Sequence, residues 1–213
     1  MAQIFFPAQK KYLESFRKKG DDLIVEMEQY ATEHKVPILD WHSADFIEKL
    51  ILINKPERVL EIGTAIAYTT IRIAKCLHKG SVVHSIEKSA DNIKIALENI
   101  EKSGISKKIK LIQGDALSVM PQLKKKYDFI FLDADKEDYK RLFDYSMILL
   151  RKGGIIVVDN LLWHGYAAAN RVPSKYSKST QHIKDFNKLF ILQQNLDSMI
   201  IPIGDGIGLG IKK

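Results

Sequence analysis

Short apolar runs alternate with longer amphipathic segments over most of the chain. Five runs are rich in Val, Ile, Leu and Phe, which is typical of parallel strands that helices cover on both faces. The predicted strands are 58–62, 82–86, 109–112, 128–132 and 155–158. The predicted helices are 65–78, 89–103 (capped by Ser89), 138–150 and 179–195, with a short one that ends at 124–126. The pattern therefore indicates an α/β fold.

Both ends of the chain extend this core. Residues 8–35 predict two helices, and a third helix has Ser43 as its expected cap and ends before Pro56. Residues 161–178 predict a long polar loop, and 199–211 predict a hairpin that turns at 204–206. We expect one domain, 1–213, in which N-terminal helices (1–56) precede a cofactor-binding core (57–213).

Composition narrows the class of protein. The 213 residues are 46% hydrophobic and 28% charged, which is ordinary globular usage. The single cysteine, Cys76, excludes an internal disulfide and a cysteine-rich zinc site. We see neither a signal peptide nor an apolar run long enough to span a membrane, so we expect a cytoplasmic protein with no membrane partner.

The net charge of +7 favours polyanionic partners. Two segments hold candidate phosphate contacts, and the second also holds aromatic rings. They are Lys10, Lys11, Arg17, Lys18 and Lys19 in the first, and Arg171, Lys175 and Lys178 with Trp163, Tyr166 and Tyr176 in the second. A solvated basic surface is the alternative interpretation of each segment.

Acidic residues stand at or just after the carboxyl end of each predicted parallel strand. They are Glu61, Glu87, Asp115, Asp133 and Asp159. Ligands bind at this edge of an α/β sheet, and Gly63 allows the backbone to approach one closely. Glu87 is placed to bind ribose hydroxyls, and Asp115-Ala116 to hold an adenine. Because no phosphate-binding loop accompanies them, the pattern favours S-adenosylmethionine over NAD or ATP.

A second group combines Asp133, Asp159 and Asn160. If the fourth and fifth strands are neighbours, three hard oxygen donors converge, which favours Mg²⁺ or a similar ion. Lys136 would then act as a base near the ion. The alternatives are that Asp159-Asn160 only caps a turn and that Lys136 is simply solvated.

Several short motifs follow one another along the chain: Leu60-Glu61-Ile62-Gly63-Thr64, Ile86-Glu87, Gly114-Asp115-Ala116, Asp133-Ala134-Asp135-Lys136, Asp159-Asn160 and Gly204-Asp205-Gly206. From about residue 20 onward the chain resembles the metal-dependent S-adenosylmethionine O-methyltransferases of the catechol and caffeoyl-CoA type. The resemblance implies a Rossmann-like class I fold: a seven-stranded, mostly parallel sheet with helices on both faces and a C-terminal antiparallel hairpin.

The resemblance also implies roles for particular residues. Asp133, Asp159 and Asn160 would bind the metal, and Lys136 and Asp133 would be catalytic. The implied cofactor-binding residues are Ile38, Glu61, Gly63, Tyr68, Thr69, Glu87, Asp115, Ala116 and Asp133. Ala67 stands where relatives commonly have a second glycine. Because alanine suits a first helical turn, we expect cofactor binding to survive this change.

Within the family, the chain looks most like bacterial tRNA 5-hydroxyuridine methyltransferases, through residues 33–38, 63–66, 159–162 and 201–206. That resemblance implies a homodimer that methylates 5-hydroxyuridine at the wobble position of the tRNA anticodon loop to 5-methoxyuridine. The alternative substrates are a small catechol or a caffeoyl-CoA-type thioester. A non-catalytic RNA-binding protein is a further alternative.

Overall fold

A seven-stranded sheet forms the centre of the protein in a computed structural model that describes residues 7–18 and 20–213. The strand order is β3-β2-β1-β4-β5-β7-β6. The strands are β1 (Arg58–Ile62), β2 (Val82–Glu87), β3 (Ile109–Gln113), β4 (Tyr127–Leu132), β5 (Leu150–Val158), β6 (Leu196–Ile201) and β7 (Ile207–Lys212). The strands β1 to β5 pair in parallel, whereas β7 runs antiparallel to β5 and β6. The predicted sheet and its C-terminal hairpin are confirmed.

Helices cover both faces of the sheet. They are α1 (Pro7–Glu14), α2 (Asp22–His34), α3 (Trp41–Asn54), α4 (Tyr68–Cys76), α5 (Ala90–Lys102), α6 (Ala116–Val119), α7 (Tyr139–Leu149) and α8 (Ser174–Leu192). Successive strand side chains point to opposite faces. Val59 therefore packs in a core with α2 to α5, whereas Leu60 packs in a second core with α7 and α8. No helix in the described ranges is both long and apolar enough to cross a membrane.

Two predicted helix starts are wrong. Asp40 rather than Ser43 caps α3, since an Asp40 carboxylate oxygen accepts a hydrogen bond of 3.0 Å from the backbone N–H of His42. Helix α4 begins at Tyr68, three residues later than predicted. Ala65 and Ala67 delay it because they adopt left-handed conformations, with φ of 48° and 69°. Ala67 is thus not in a helical turn, contrary to the sequence-based expectation.

The C-terminal part also departs from the predicted boundaries. Helix α8 begins at Ser174, directly after Pro173, whose fixed φ suits a helix start. The loop before it is therefore shorter than predicted, and Lys175, Tyr176 and Lys178 lie on the first turns of the helix. Strand β5 begins at Leu150 and includes two glycines that were expected to precede it. Strand β6 begins at Leu196 rather than residue 199.

Candidate active site

A cavity of about 820 Å³ opens at the carboxyl ends of β1, β2, β3, β4 and β5. It brings together nine of the twelve site residues that the sequence predicted. These nine are Ile38, Gly63, Glu87, Asp115, Ala116, Asp133, Lys136, Asp159 and Asn160. They converge because neighbouring parallel strands end at the same edge of the sheet. The remaining three, Glu61, Tyr68 and Thr69, do not line the cavity.

Gly63 is required by the close approach of two strand ends. Its φ is 99°, and an added Cβ would lie 1.8 Å from the backbone oxygen of Asp133. The Gly63 N–H also donates a hydrogen bond of 3.1 Å to the carbonyl of Ile86. Only glycine fits this conformation and this space. The turn after β1 is thus fitted directly against the end of β4.

Glu87, the last residue of β2, connects the turn after β1 to the start of α5 through hydrogen bonds of its carboxylate. One carboxylate oxygen accepts a hydrogen bond of 2.8 Å from the Ala65 N–H, and the other accepts from Lys88 and Ser89 at 3.0 and 2.9 Å. A carboxylate has about four acceptor sites, so capacity for a further hydroxyl donor remains on the cavity side. Ser89 caps α5 through the Asn92 N–H, as predicted.

The adenine candidates lie at the start of α6. The Asp115 side chain caps this helix by accepting a hydrogen bond of 3.2 Å from the Ser118 N–H. The N–H of Gly114 donates a bond of 2.8 Å to the Glu87 carbonyl, which joins the ends of β2 and β3. Asp115 and Ala116 therefore reach the same cavity as Glu87.

Glu61 occupies a place different from the predicted one. Its side chain is fully buried, because it points from β1 into the core beneath α4 rather than towards the cavity. One carboxyl oxygen accepts hydrogen bonds from the hydroxyls of Thr70 and Ser85, and the other has no partner among the described residues. Burial raises the pKa of Glu61 to about 8. In this structure Glu61 supports the strand end and does not contact the cavity.

Tyr68 is also directed away from the cavity. Its hydroxyl donates a hydrogen bond of 2.6 Å to Glu28 on α2 and accepts one of 2.7 Å from Arg72 on α4. Arg72 in turn binds Asp45 and Glu48 on α3. The ring of Tyr68 thus helps to hold α2, α3 and α4 together, and its neighbour Thr69 is buried at the start of α4.

Lys136 forms the centre of the predicted catalytic group. Its ammonium nitrogen lies 3.2 Å from a carboxylate oxygen of Asp133 and 2.5 Å from the side-chain oxygen of Asn160. It also lies 3.0 Å from the Ala134 carbonyl and 2.7 Å from the Tyr139 hydroxyl. The pairing of β4 with β5 brings these residues together. The predicted condition for convergence, that the fourth and fifth strands are neighbours, is therefore met.

The donor set fits a hard cation. One oxygen of the buried Asp159 carboxyl has no hydrogen-bond partner in the described part of the chain. Burial and then the charge of Asp133 raise the pKa of Asp159 well above its usual range. A divalent ion would offset both unfavourable effects. No cluster of three or more His, Cys, Asp or Glu side chains suited to a metal occurs in residues 7–18 and 20–213, so the third ligand here would be the amide of Asn160.

Three further residues lie near this group: Tyr139 and Asp205 were not assigned to the site from the sequence, whereas Trp163 was named as an aromatic residue of the loop. The buried hydroxyl of Tyr139 donates a hydrogen bond of 3.1 Å to the Asp159 carbonyl while it accepts one from Lys136. Asp205, in the hairpin turn, accepts a bond of 2.6 Å from the His164 N–H. The Trp163 ring centre lies 5.7 Å from the Lys136 nitrogen. The spacing of Tyr139 three residues after Lys136 was an available signal, whereas the approach of Asp205 was not.

The charges around the cavity are mainly negative. The lining residues include seven carboxylates, Glu87, Asp115, Asp133, Asp135, Glu137, Asp138 and Asp159, and two lysines, Lys88 and Lys136. Two predicted phosphate contacts are already paired: Arg17 binds Glu28 at 2.5 Å and Lys178 binds Glu137 at 2.9 Å. The side chain of Lys10 and the whole of Lys19 lie outside the described residues. The cavity therefore suits a cationic cofactor better than a polyanion.

Comparisons with known proteins agree with this geometry. The profile of the O-methyltransferase family matches residues 15–213. Caffeoyl-CoA O-methyltransferases of Populus kitakamiensis and Nicotiana tabacum are 32% and 33% identical, cover 77% of this chain, and match it over 73% and 72% of their own lengths. An O-methyltransferase from Bacillus cereus, solved in complex with SAH, has a TM-score of 0.85 at 27% identity, over 97% of both chains.

The chain therefore belongs to the O-methyltransferase family, and the predicted enzyme class, an S-adenosylmethionine-dependent O-methyltransferase, is confirmed. The relatives are of the caffeoyl-CoA type, as the sequence resemblance implied. The particular closeness to tRNA methyltransferases has no support in these comparisons.

Proposed function

We propose that this enzyme methylates one hydroxyl of a small aromatic compound that carries two neighbouring oxygens, such as a catechol, and that it requires a divalent cation. The observation that carries the proposal is that oxygens of Asp133 and Asn160 contact Lys136, while the buried Asp159 lines the same cavity with an unpaired carboxyl oxygen. The caffeoyl-CoA O-methyltransferases among its relatives support the same substrate class.

The residues present have separate tasks in such a reaction. Asp133, Asp159 and Asn160 would hold the cation, which when bound lowers the pKa of a coordinated hydroxyl. Lys136 would take the hydroxyl proton at its ammonium nitrogen after that nitrogen has lost a proton to water. Tyr139 and the Ala134 carbonyl fix this nitrogen in place. S-adenosylmethionine would supply the methyl group and leave as S-adenosylhomocysteine, and holding the acceptor oxygen in contact with that methyl group supplies much of the rate.

The cofactor end of the cavity follows from the same geometry. Glu87 has acceptor capacity for ribose hydroxyls, and Asp115-Ala116 lie where an adenine would be held. The acidic residues of the lining outnumber its two lysines, which favours a positively charged sulfonium. The same charges disfavour phosphate groups within the cavity, so a free catechol is the favoured substrate.

A second candidate substrate is 5-hydroxyuridine at the tRNA wobble position. The observation in its favour is an aromatic group beside the cavity: the rings of Tyr166 and Tyr176 stack at 5.3 Å, and the Lys175 ammonium lies 4.6 Å from the Tyr176 ring centre. Both rings are half-buried and Lys175 is exposed; aromatic and cationic groups hold splayed, single-stranded bases in this way. The uridine 5-hydroxyl and its adjacent carbonyl would present a pair of oxygens like that of a catechol.

Methyl-transfer assays distinguish these candidates. Purified enzyme receives S-adenosylmethionine with a free catechol, caffeoyl-CoA or tRNA that contains 5-hydroxyuridine. We expect the catechol to have the highest kcat/KM, EDTA to stop turnover and Mg²⁺ to restore it. Asp159→Asn should lose turnover, whereas Asp197→Asn, an exposed control on β6, should keep it. A higher kcat/KM for tRNA would favour the second candidate, and turnover that survives chelation would refute the metal requirement.

A further inference from the structure

The net positive charge of the protein is concentrated at the edge of the sheet opposite the cavity. We call this edge the basic pole and define it as residues 55–58, 78–82, 105–110, 123–128, 149–154, 193–197 and 211–213. These segments adjoin the amino ends of β1 to β6 and the carboxyl end of β7. The strand register aligns them along one edge, since Arg58 pairs with Val82 and Leu196 with Lys212.

The basic pole carries more charge than the whole chain. It holds thirteen Lys or Arg residues and three acidic ones, Glu57, Asp128 and Asp197, which gives a net charge of +10. The complete chain has +7, so everything outside the basic pole sums to −3. The basic surplus therefore lies away from the cofactor cavity.

Most of these cations are available to a partner. Lys107, Lys110, Lys124, Lys125 and Lys152 are exposed. Within the described residues of the basic pole, the pair of Arg151 with Asp128 at 2.5 Å is the only salt bridge. Other cations of this set, such as Lys126, bind backbone carbonyls and so keep their charge uncompensated by a carboxylate.

The cations also repel one another. Burial and then the charges of Lys110, Lys125 and Arg58 lower the pKa of His84. Burial and then Lys126 and Lys152 lower the pKa of Lys212. A bound polyanion would remove this repulsion and release its own counterions at the same time.

The length and the exposed surface of the basic pole indicate which kind of polyanion it can bind. Cations extend from β3 to β7, which are five strand steps apart, or about 24 Å at about 4.8 Å per step. A nucleic-acid double helix presents a phosphate about every 3.4 Å along each strand, hence about seven phosphates over this length. The described basic pole exposes no Phe, Tyr or Trp side chain, which disfavours stacking of single-stranded bases. Exposed apolar residues adjoin its segments at Ile53, Ile148 and Leu192, so lipid vesicles are included in the test.

We propose that the basic pole binds the phosphate backbone of a nucleic-acid double helix without reading its sequence. The proposal does not depend on the methyl acceptor, because the basic pole and the cavity lie at opposite edges of the sheet. Methyl transfer to a small phenol should therefore be insensitive to charge changes at the basic pole.

The test compares two variants with equal charge changes. The pole variant carries Lys110→Gln, Lys124→Gln, Lys125→Gln and Lys152→Gln. The control variant carries Lys35→Gln, Lys94→Gln, Lys140→Gln and Lys188→Gln, at exposed positions outside the basic pole. Fluorescence anisotropy measures binding to RNA and DNA duplexes of about 20 base pairs, between about 50 and 200 mM salt, with phosphatidylserine vesicles as a further arm.

For the wild type we expect the binding constant to fall steeply as the salt concentration rises. In the pole variant, the slope of the log binding constant against the log salt concentration should be smaller by up to about 3.6, or about 0.9 per lost phosphate contact. The control variant should keep the wild-type slope. A preference for RNA or DNA would identify the source of the duplex. The proposal is wrong if the wild type binds neither duplex, if both variants behave alike, or if only the vesicles are bound. Should the pole variant not fold, Lys124→Gln alone must lower the slope by about 0.9.

Discussion

Glu61 predicts an unusual dependence of stability on pH. Its carboxyl is fully buried, receives two hydroxyl hydrogen bonds on one oxygen and has a pKa raised from 4.5 to about 8 by burial. Between these two values the folded state holds a proton that the unfolded state has released. Stability from this group is therefore complete below about pH 4.5 and is lost as the pH rises through about 8.

The magnitude follows from the shift. At about 1.36 kcal/mol per pKa unit, a shift from 4.5 to about 8 corresponds to about 5 kcal/mol of unfolding free energy lost over that range. Glu61→Gln keeps the shape and removes the titration. Between pH 5.5 and 7.5 its unfolding free energy should therefore fall less steeply than that of the wild type, by up to about 1.4 kcal/mol per pH unit.

Urea unfolding of the cofactor-free protein, followed by circular dichroism at several pH values, measures this difference. Glu98→Gln, an exposed change on α5, is the matched control and should leave the wild-type slope intact. The buried Asp159 also makes the unfolding free energy fall as the pH rises. The informative quantity is therefore the difference between the unfolding free energies of the wild type and the variant at each pH. Equal slopes for the wild type and Glu61→Gln would show that Glu61 is ionised in the folded protein, and the reasoning would fail.

Three further outcomes follow from the site. Glu87→Gln should weaken S-adenosylmethionine binding by calorimetry roughly 10- to 150-fold, because a charge-assisted hydrogen bond contributes about 1.5–3 kcal/mol; an unchanged Kd would remove Glu87 from the site. Ala67→Gly should change stability by less than about 1 kcal/mol, since relief of left-handed strain offsets a lost buried methyl and added chain entropy, and a large change in urea midpoint would contradict this. Tyr139→Phe should lower kcat roughly 10-fold with little change in the KM for the cofactor, because Lys136 loses a fixing hydrogen bond worth about 1.4 kcal/mol; wild-type kcat would show that Lys136 needs no such support.

The cavity residues could be predicted because one rule governs them. Parallel strands end together, so Gly63, Glu87, Asp115, Asp133 and Asp159 were expected along one edge, and the structure brings them there. Apolar runs located the strands for the same reason, since they are covered on both faces.

The side-chain directions of residues within a strand or a turn depend on side-chain alternation and backbone angles instead. Glu61 lies one residue before the end of β1, and the alternation of side chains sends it into the core with α4 rather than to the edge. Ala65 and Ala67 adopt left-handed conformations that composition does not reveal, so α4 starts late and Tyr68 faces α2. These outcomes depend on backbone angles and packing that a linear pattern does not contain.

The distribution of charge over the protein could not be predicted without knowledge of the fold. The sequence showed the total of +7 but not that lysines from six separate segments gather at one edge. The contact of Asp205 with His164, 41 residues apart, likewise depends on the hairpin pairing with β5. Long-range pairing, rather than local preference, determined both features.

The fit between Gly63 and Asp133 constrains how this enzyme can change. Even one methyl group at position 63 would collide with the Asp133 backbone oxygen, and the Asp133 N–H is tied to the Ile62 carbonyl at 3.0 Å. A substitution that reshapes the cofactor turn therefore also shifts the carboxylate beside Lys136. Affinity for the methyl donor and the alignment of the methyl acceptor cannot be altered independently at this point, so engineering of either one is better directed to Ala65 or to the far side of the cavity.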